Sequence, residues 1–172
     1  MIVDTLIVFI LALVCYFIIP LCVLIFVKNE RCVKIITWTL LGVYLVILII
    51  GVWARVVITP KSVKITFDYS YGFFNKPINL TFSNLRLFDI MVNLVLLMPI
   101  GMSYAILKKE KVINLLIKSL VIGLVLGIVI EAGQFLLPVR RSIQLSDVLF
   151  NMVSMILGAL IGKLYLIITK RD

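Results

Sequence analysis

Five long runs of apolar residues, each almost free of charge, constrain this chain more than any other feature. A membrane-spanning helix needs about 20 consecutive apolar residues, and each run is long enough. The runs lack the sustained alternation that is typical of outer-membrane barrel strands. The sequence therefore predicts a single all-α integral membrane domain, residues 1–172, with transmembrane helices at 5–27, 34–54, 88–107, 112–136 and 147–168.

The composition excludes an ordinary soluble domain, since 63% of the 172 residues are hydrophobic and only 15% are charged. The first run begins Met-Ile-Val-Asp, without a basic segment, and no small-residue cleavage site follows it. We therefore expect a retained helix rather than a cleaved signal peptide. Nucleic acid is not an expected partner of such a protein, and the sequence leaves the oligomeric state open.

Short basic segments predict the orientation in a bacterial cytoplasmic membrane. They lie at Lys28–Lys34, Lys108–Lys111 and Lys170–Arg171, which the positive-inside rule makes cytoplasmic. The N-terminus and the loops 55–87 and 137–146 would then face outward. Seven outer cations weaken this bias: Arg55, Lys61, Lys64, Lys76, Arg86, Arg140 and Arg141. They either meet lipid phosphates or, with the net charge of +9, suit work beside anionic lipid or polymer.

The outer loop 55–87 contains two stretches with the period of a β-strand, Val63–Tyr69 and Ile78–Ser83. Tyr71–Pro77 between them supplies turn residues. The pattern predicts a β-hairpin on the outer surface. It would serve as a lid or as an interfacial cap.

Metal and disulfide chemistry have little support in the sequence. Cys15, Cys22 and Cys32 fall in or just after the first helix, where thiols persist, and the chain has no histidine. Glu131, Asp147 and Asp89 are the remaining ligands for a hard cation, but their spacing matches no metal motif. We expect neither a metal nor another cofactor.

Small and polar residues recur at helical spacing on the last three predicted helices, which places them on one face of each. The sets are Asp89 and Asn93, then Ser119, Gly123, Gly127, Glu131 and Gln134, and finally Asp147, Asn151, Ser154, Gly158 and Gly162. We expect the three faces to meet. Packing alone explains the glycines.

The charged residues need a further reason, because an acid at the bilayer centre costs about 2.5–3.5 kcal/mol on insertion scales. We expect Glu131 or Asp147 to pair with Arg140 or Arg141 across the short outer loop. A structural ion pair and a polar cavity remain equal alternatives.

At these residues the chain resembles the VanZ-like family of small bacterial membrane proteins, which is named for a member associated with teicoplanin resistance. The resemblance covers about half of the chain, from residue 88 onward. It rests on Asn93 with Pro99-Ile-Gly101, Glu131-Ala-Gly-Gln134, Arg141-Ser-Ile-Gln144-Leu-Ser-Asp147, and Asn151 followed by Ser154, Gly158 and Gly162. Gln144 stands where the family usually has an Asp, which puts a mechanism with two acids in doubt. Ser154 replaces a Gly, and its small side chain predicts little change in packing.

The resemblance implies reduced susceptibility to teicoplanin-type lipoglycopeptides through a change at the outer membrane face. The leading hypothesis is an outer-leaflet pocket that binds a lipid, a lipid-linked envelope precursor or a glycopeptide-related ligand. Its expected residues are Asn93, Glu131, Gln134, Arg140, Arg141, Asp147 and Asn151.

Two other classes of function remain open at the level of the sequence. One is an intramembrane enzyme that acts on a lipid-linked substrate, with Glu131 as general acid or base and Asp147 orienting it. The other is a structural or partner-binding membrane protein. Transport is disfavoured because the chain shows no internal repeat.

Overall fold

The computed structural model describes residues 26–53, 55–59, 62–66, 78–79, 87–136 and 143–171. Four spans in these ranges are helical, long and apolar enough to cross a membrane. The first predicted helix, 5–27, lies outside the described residues except at its last two positions. The prediction of an all-α multi-pass membrane protein is confirmed.

Three of the spans are single helices: α1 (Glu30–Trp53), α4 (Val112–Leu136) and α5 (Leu145–Ile168). The predicted bounds of α4 are correct at both ends. Helix α1 begins four residues before its predicted start, because Asn29 Oδ1 accepts a hydrogen bond from the Arg31 N–H at 2.9 Å. Such a cap satisfies one of the unpaired amides of the first turn.

The remaining span is broken, although the sequence predicts one helix over 88–107. Helix α2 (Leu87–Leu96) ends before Leu97, and α3 (Met98–Lys108) begins after it. Pro99 lies in the first turn of α3. Proline lacks the amide hydrogen that a continuous helix needs, which explains the break. The apolar pattern of the sequence continues across this break and therefore does not predict it.

Helix α5 packs against α2, α3 and α4, so the three small and polar faces do meet. A methyl group added to Gly101 would overlap the Met155 carbonyl, and one added to Gly158 would overlap the Met98 carbonyl. The broken helix therefore runs parallel to α5 at backbone contact. Helix α4 runs antiparallel to α5, with Gly123 against Met152.

Segment 55–87 contains a hairpin, but it does not join the two predicted strands. Strand β1 (Arg55–Thr59) pairs antiparallel with β2 (Ser62–Thr66), whereas β3 (Ile78–Asn79) pairs parallel with β4 (Ile143–Gln144). Strands β2 and β3 overlap the two predicted strands but do not pair with each other, and the predicted turn Tyr71–Pro77 lies outside the described residues. Two residues join β1 to β2, a connection far shorter than the predicted turn, and short connections favour hairpins. The β3–β4 pair ties the outer loop to the start of α5.

Candidate functional site

The two ends of the helix bundle differ in chemistry. We call one the basic end, formed by residues 27–34, 108–118 and 163–171. Lys109 Nζ lies 2.7 Å from Glu30 Oε1, and Lys163 Nζ donates to the Glu110 backbone oxygen at 2.8 Å. Arg171 donates to the Val27 carbonyl. These contacts bring together the three basic segments that the sequence predicts on one side.

Glu110 joins the loop between α3 and α4 to the first turns of α4. Its Oε1 lies 2.7 Å from Lys118 Nζ and accepts a hydrogen bond from the Tyr104 hydroxyl at 3.3 Å. The hydrogen bond from Lys118 holds the pKa of the Glu110 carboxyl below its ordinary value of 4.5. The basic end is therefore a set of charges that fasten helices and loops to each other.

We call the opposite end the polar end. It contains the five predicted ligand-binding residues that lie in the described ranges, namely Asn93, Glu131, Gln134, Asp147 and Asn151. Asn151 is 0% exposed and Glu131 is 6% exposed, and Asn93 and Gln134 are also buried. Asp147 is partly exposed in the first turn of α5, where a negative charge is favoured by the helix dipole.

One hydrogen bond fixes the relative depth of these side chains. The Leu97 N–H donates to Ser154 Oγ at 2.8 Å, between parallel helices. Asn93 precedes Leu97 by four residues and Asn151 precedes Ser154 by three, so the rise of about 1.5 Å per residue puts both amides near one level. Both lie about one turn nearer the polar end than the helix break.

Glu131 is attached to the start of α5. Its Oε2 accepts a hydrogen bond from the Gln144 N–H at 3.1 Å, and Gln144 is the residue that caps α5. A carboxylate at this position satisfies an amide that the helix leaves unpaired and benefits from the helix dipole. Gln144 thus contacts Glu131 through its backbone N–H. The family motif described above usually has an Asp at this position.

Asn151 has a different environment. Neither its Nδ2 nor its Oδ1 has a hydrogen-bond partner among the described residues, although the side chain is fully buried. An unsatisfied buried amide costs about 1–3 kcal/mol. Packing of α5 against α4 does not require it, because an apolar side chain of similar size would avoid this cost.

Two side chains hold the broken helix through hydrogen bonds that the sequence did not predict. The Tyr44 hydroxyl, on α1, donates to the Leu96 carbonyl at 2.5 Å, and Ser154 Oγ accepts from Leu97 N–H. Backbone groups freed inside a membrane need such partners. The prediction for Ser154 concerned packing alone, and its hydroxyl also serves as a hydrogen-bond acceptor. Nothing in the sequence marks Tyr44 as the second partner.

Some predicted contacts fall outside the described residues. They involve Arg140, Arg141 and the side chain of Asp89, so the predicted ion pair between Glu131 or Asp147 and an arginine stays a prediction. Within the described ranges, no group of three or more His, Cys, Asp or Glu residues could hold a metal ion. Cys32 is an exposed thiol, while Cys15 and Cys22 precede the described part of the chain.

Comparison with known proteins extends the resemblance toward the N-terminus. A family model described as VanZ/LLP1 matches residues 6–167, nearly the whole chain. The match includes the first two predicted helices, for which the motifs gave no support beyond hydrophobicity. No curated protein and no solved structure matches the chain.

Proposed function

Because the chain belongs to the VanZ/LLP1 family, we propose that it is a cell-envelope protein that binds a lipid or lipid-linked headgroup at the polar end. Binding there reduces susceptibility to teicoplanin-type lipoglycopeptides. In this proposal the polar end faces outward in the bacterial cytoplasmic membrane, the N-terminus is outside and the C-terminus is cytoplasmic. The positive-inside rule supports that orientation, because the basic end gathers the short cationic segments.

The buried Asn151 carboxamide is the observation that carries the proposal. A carboxamide can donate two hydrogen bonds and accept two, and Asn151 uses none of these with the described residues. A ligand with hydroxyl or amide groups, such as the sugar or peptide part of a lipid-linked precursor, would satisfy both of its polar atoms. These hydrogen bonds would remove the cost of burying an unpaired amide, and this gain would favour binding of the ligand.

The other predicted residues complete the proposed pocket. Asn93 supplies a second amide at the level of Asn151, and Gln134 lies farther toward the polar end. Glu131 and Asp147 orient the pocket or accept ligand hydrogen bonds. Arg140 and Arg141 would hold a phosphate or carboxylate, for which the planar guanidinium offers two parallel donors.

Native mass spectrometry of the purified protein in a mild detergent tests binding. Asn151→Leu should remove a co-purifying lipid that the wild-type protein retains. Ser119→Ala is the matched control, because the Ser119 hydroxyl is also fully buried and unpartnered among the described residues but lies farther toward the basic end. Retention of the same lipid by the Asn151→Leu protein would refute the proposed pocket.

The resistance role needs a separate test in cells. Expression of the wild-type protein in a teicoplanin-susceptible Gram-positive host should raise the inhibitory concentration of teicoplanin. Asn151→Leu should abolish this increase at equal protein abundance, and Ser119→Ala should preserve it. An equal increase with Asn151→Leu would show that resistance does not depend on the polar end.

The contact between Glu131 and Gln144 favours a second candidate, a structural role for the polar end. Glu131→Gln keeps an oxygen that can accept the Gln144 N–H, whereas Glu131→Leu removes it. If the polar end is only structural, Glu131→Leu lowers detergent stability and neither variant changes lipid retention or teicoplanin susceptibility. If the pocket takes up a ligand through the Glu131 charge, Glu131→Gln loses the ligand while remaining stable.

A further inference from the structure

An apolar groove opens on the side of the bundle, away from the polar end. Four helices line it, with Trp38 on α1, Ile100, Tyr104 and Lys108 on α3, Ile122 on α4 and Met155 on α5. Ile100 and Lys108 are eight residues apart, so the groove follows α3 for about 12 Å. Trp38 at its edge is 62% exposed. The groove is thus elongated, apolar along its length and cationic at one end.

Lys108 marks the end of the groove that lies at the basic end. Each of the two acids described there makes its salt bridge with another lysine, Glu30 with Lys109 and Glu110 with Lys118, although Glu110 also attracts Lys108 at longer range. Lys108 makes no salt bridge within the described ranges. The segments of the basic end contain these two acids and ten basic residues, namely Lys28, Arg31, Lys34, Lys108, Lys109, Lys111, Lys118, Lys163, Lys170 and Arg171. A negative group at Lys108 would therefore meet an excess of positive charge.

We propose that this groove is a binding site for an anionic phospholipid, with one acyl chain along α3 and the headgroup phosphate at Lys108. The occupant follows from complementarity of shape and charge, because an acyl chain fits an open apolar channel and a phosphate fits the cation at its end. A zwitterionic phospholipid also has a phosphate, but its ammonium group would be repelled by the excess of positive charge at the basic end, which an anionic headgroup avoids. The phosphate end of the site, at Lys108, lies at the opposite end of the bundle from Asn151, and the site does not depend on the function proposed above.

Tryptophan fluorescence gives a direct readout, because the chain has only two tryptophans, Trp38 and Trp53. A Trp53→Phe background leaves Trp38 at the groove as the single emitter. The protein is reconstituted into two sets of vesicles of identical composition, made from phosphatidylglycerol and phosphatidylcholine. Bromine atoms, which quench tryptophan, are on the acyl chains of phosphatidylglycerol in one set and of phosphatidylcholine in the other.

Quenching of Trp38 should be stronger when phosphatidylglycerol carries the bromine, corresponding to about a fivefold preference, the factor that one lysine contributes at an anionic surface. Equal quenching in the two sets would refute the site, because it would mean ordinary solvation by lipid. Absence of quenching in both would also refute it, since another part of the chain or a second copy would then cover the groove.

Two variants assign the preference to Lys108. Lys108→Gln should abolish it, whereas Lys111→Gln should preserve it, because Lys111 is an exposed cation three residues away that does not line the groove. A preference that survives in Lys108→Gln would contradict the proposal. In the Asn151→Leu protein the preference should remain, so failure of the polar-end pocket and failure of this site give different results.

Discussion

Ser154 and Asn151 lie one turn apart on α5, and both side chains are fully buried, yet their surroundings are opposite. The Ser154 hydroxyl accepts a backbone hydrogen bond across the interface with the broken helix. The Asn151 carboxamide has no described partner. The polar side chains at the break thus form hydrogen bonds with its free backbone groups. The polar atoms of Asn151 have no such partner among the described residues.

This difference separates two uses of polarity within one membrane domain. Satisfied groups at the break and at the basic end hold the helices together, and their removal should lower stability. An unpaired amide should not behave in that way, since replacing it by an apolar side chain removes a cost. Stability measurements therefore distinguish residues that build the fold from residues that are available to a ligand.

The largest effect is expected in the packing that supports the break. Gly158→Val places side-chain atoms on the Met98 backbone and forces α3 and α5 apart, so it should lower the free energy of unfolding by more than about 3 kcal/mol. Gly42→Val is the control, because a Cβ atom at Gly42 would have no neighbour within 4 Å. Thermal unfolding in detergent measures both. Equal midpoints for the two variants would contradict the backbone contact.

Ser154→Ala tests the satisfied half of the comparison directly. The variant keeps a small side chain but leaves the Leu97 N–H without its acceptor, which should cost about 1–3 kcal/mol. Lipid retention at the polar end should not change. A Ser154→Ala protein of wild-type stability would show that the break does not need this hydroxyl.

Tyr44→Phe removes the other partner of the break, with a smaller expected effect. The Leu96 carbonyl loses a hydrogen bond, at a cost of about 0.5–1.5 kcal/mol, while the ring remains in the core beside Leu48 and Leu97. If the two side chains act on one element, the double variant with Ser154→Ala should depart from additivity. Strict additivity of the unfolding free energies would mean that they act independently.

The smallest expected effect is the pH dependence of the basic end. The folded protein lowers the pKa of Glu110 through Lys118, so the stabilisation is present above the ordinary value of 4.5 and is lost as the pH falls through the lower folded value. Wild type should therefore lose its advantage over Glu110→Gln between pH 5 and more acidic values. Unfolding midpoints across this range measure the difference, which a Lys118→Gln background should reduce.

Much of the fold follows from the sequence because its dominant signal is local. The apolar run of α4 ends at basic residues on one side and at Pro138 on the other, and both bounds of the helix were predicted correctly. Small residues at four-residue spacing predicted which faces meet. Each of these patterns lies within a single segment of the sequence, so it can be recognised without knowing which helix packs against that segment.

The rest depends on contacts between distant segments. Tyr44 reaches a carbonyl 52 residues away, and β3 pairs with β4 rather than with its neighbour in the outer loop. The break at Leu97 shows in the sequence only as Pro99, which membrane helices also tolerate without a break. The motif predicted which residues lie at the polar end. It could not predict that Asn151 would have no hydrogen-bond partner among the described residues.

Asn151 makes no hydrogen bond with the described residues, so the fold should not require its carboxamide. The most direct test is the free energy of unfolding of the Asn151→Leu protein in detergent, measured beside wild type. The variant should be as stable as wild type or more stable, because leucine keeps the branching of the asparagine side chain and has no polar atoms to satisfy. A loss of about 1–3 kcal/mol, as expected for Ser154→Ala, in both Asn151→Leu and the smaller Asn151→Val would mean that Asn151 has a structural partner, and it would contradict this expectation.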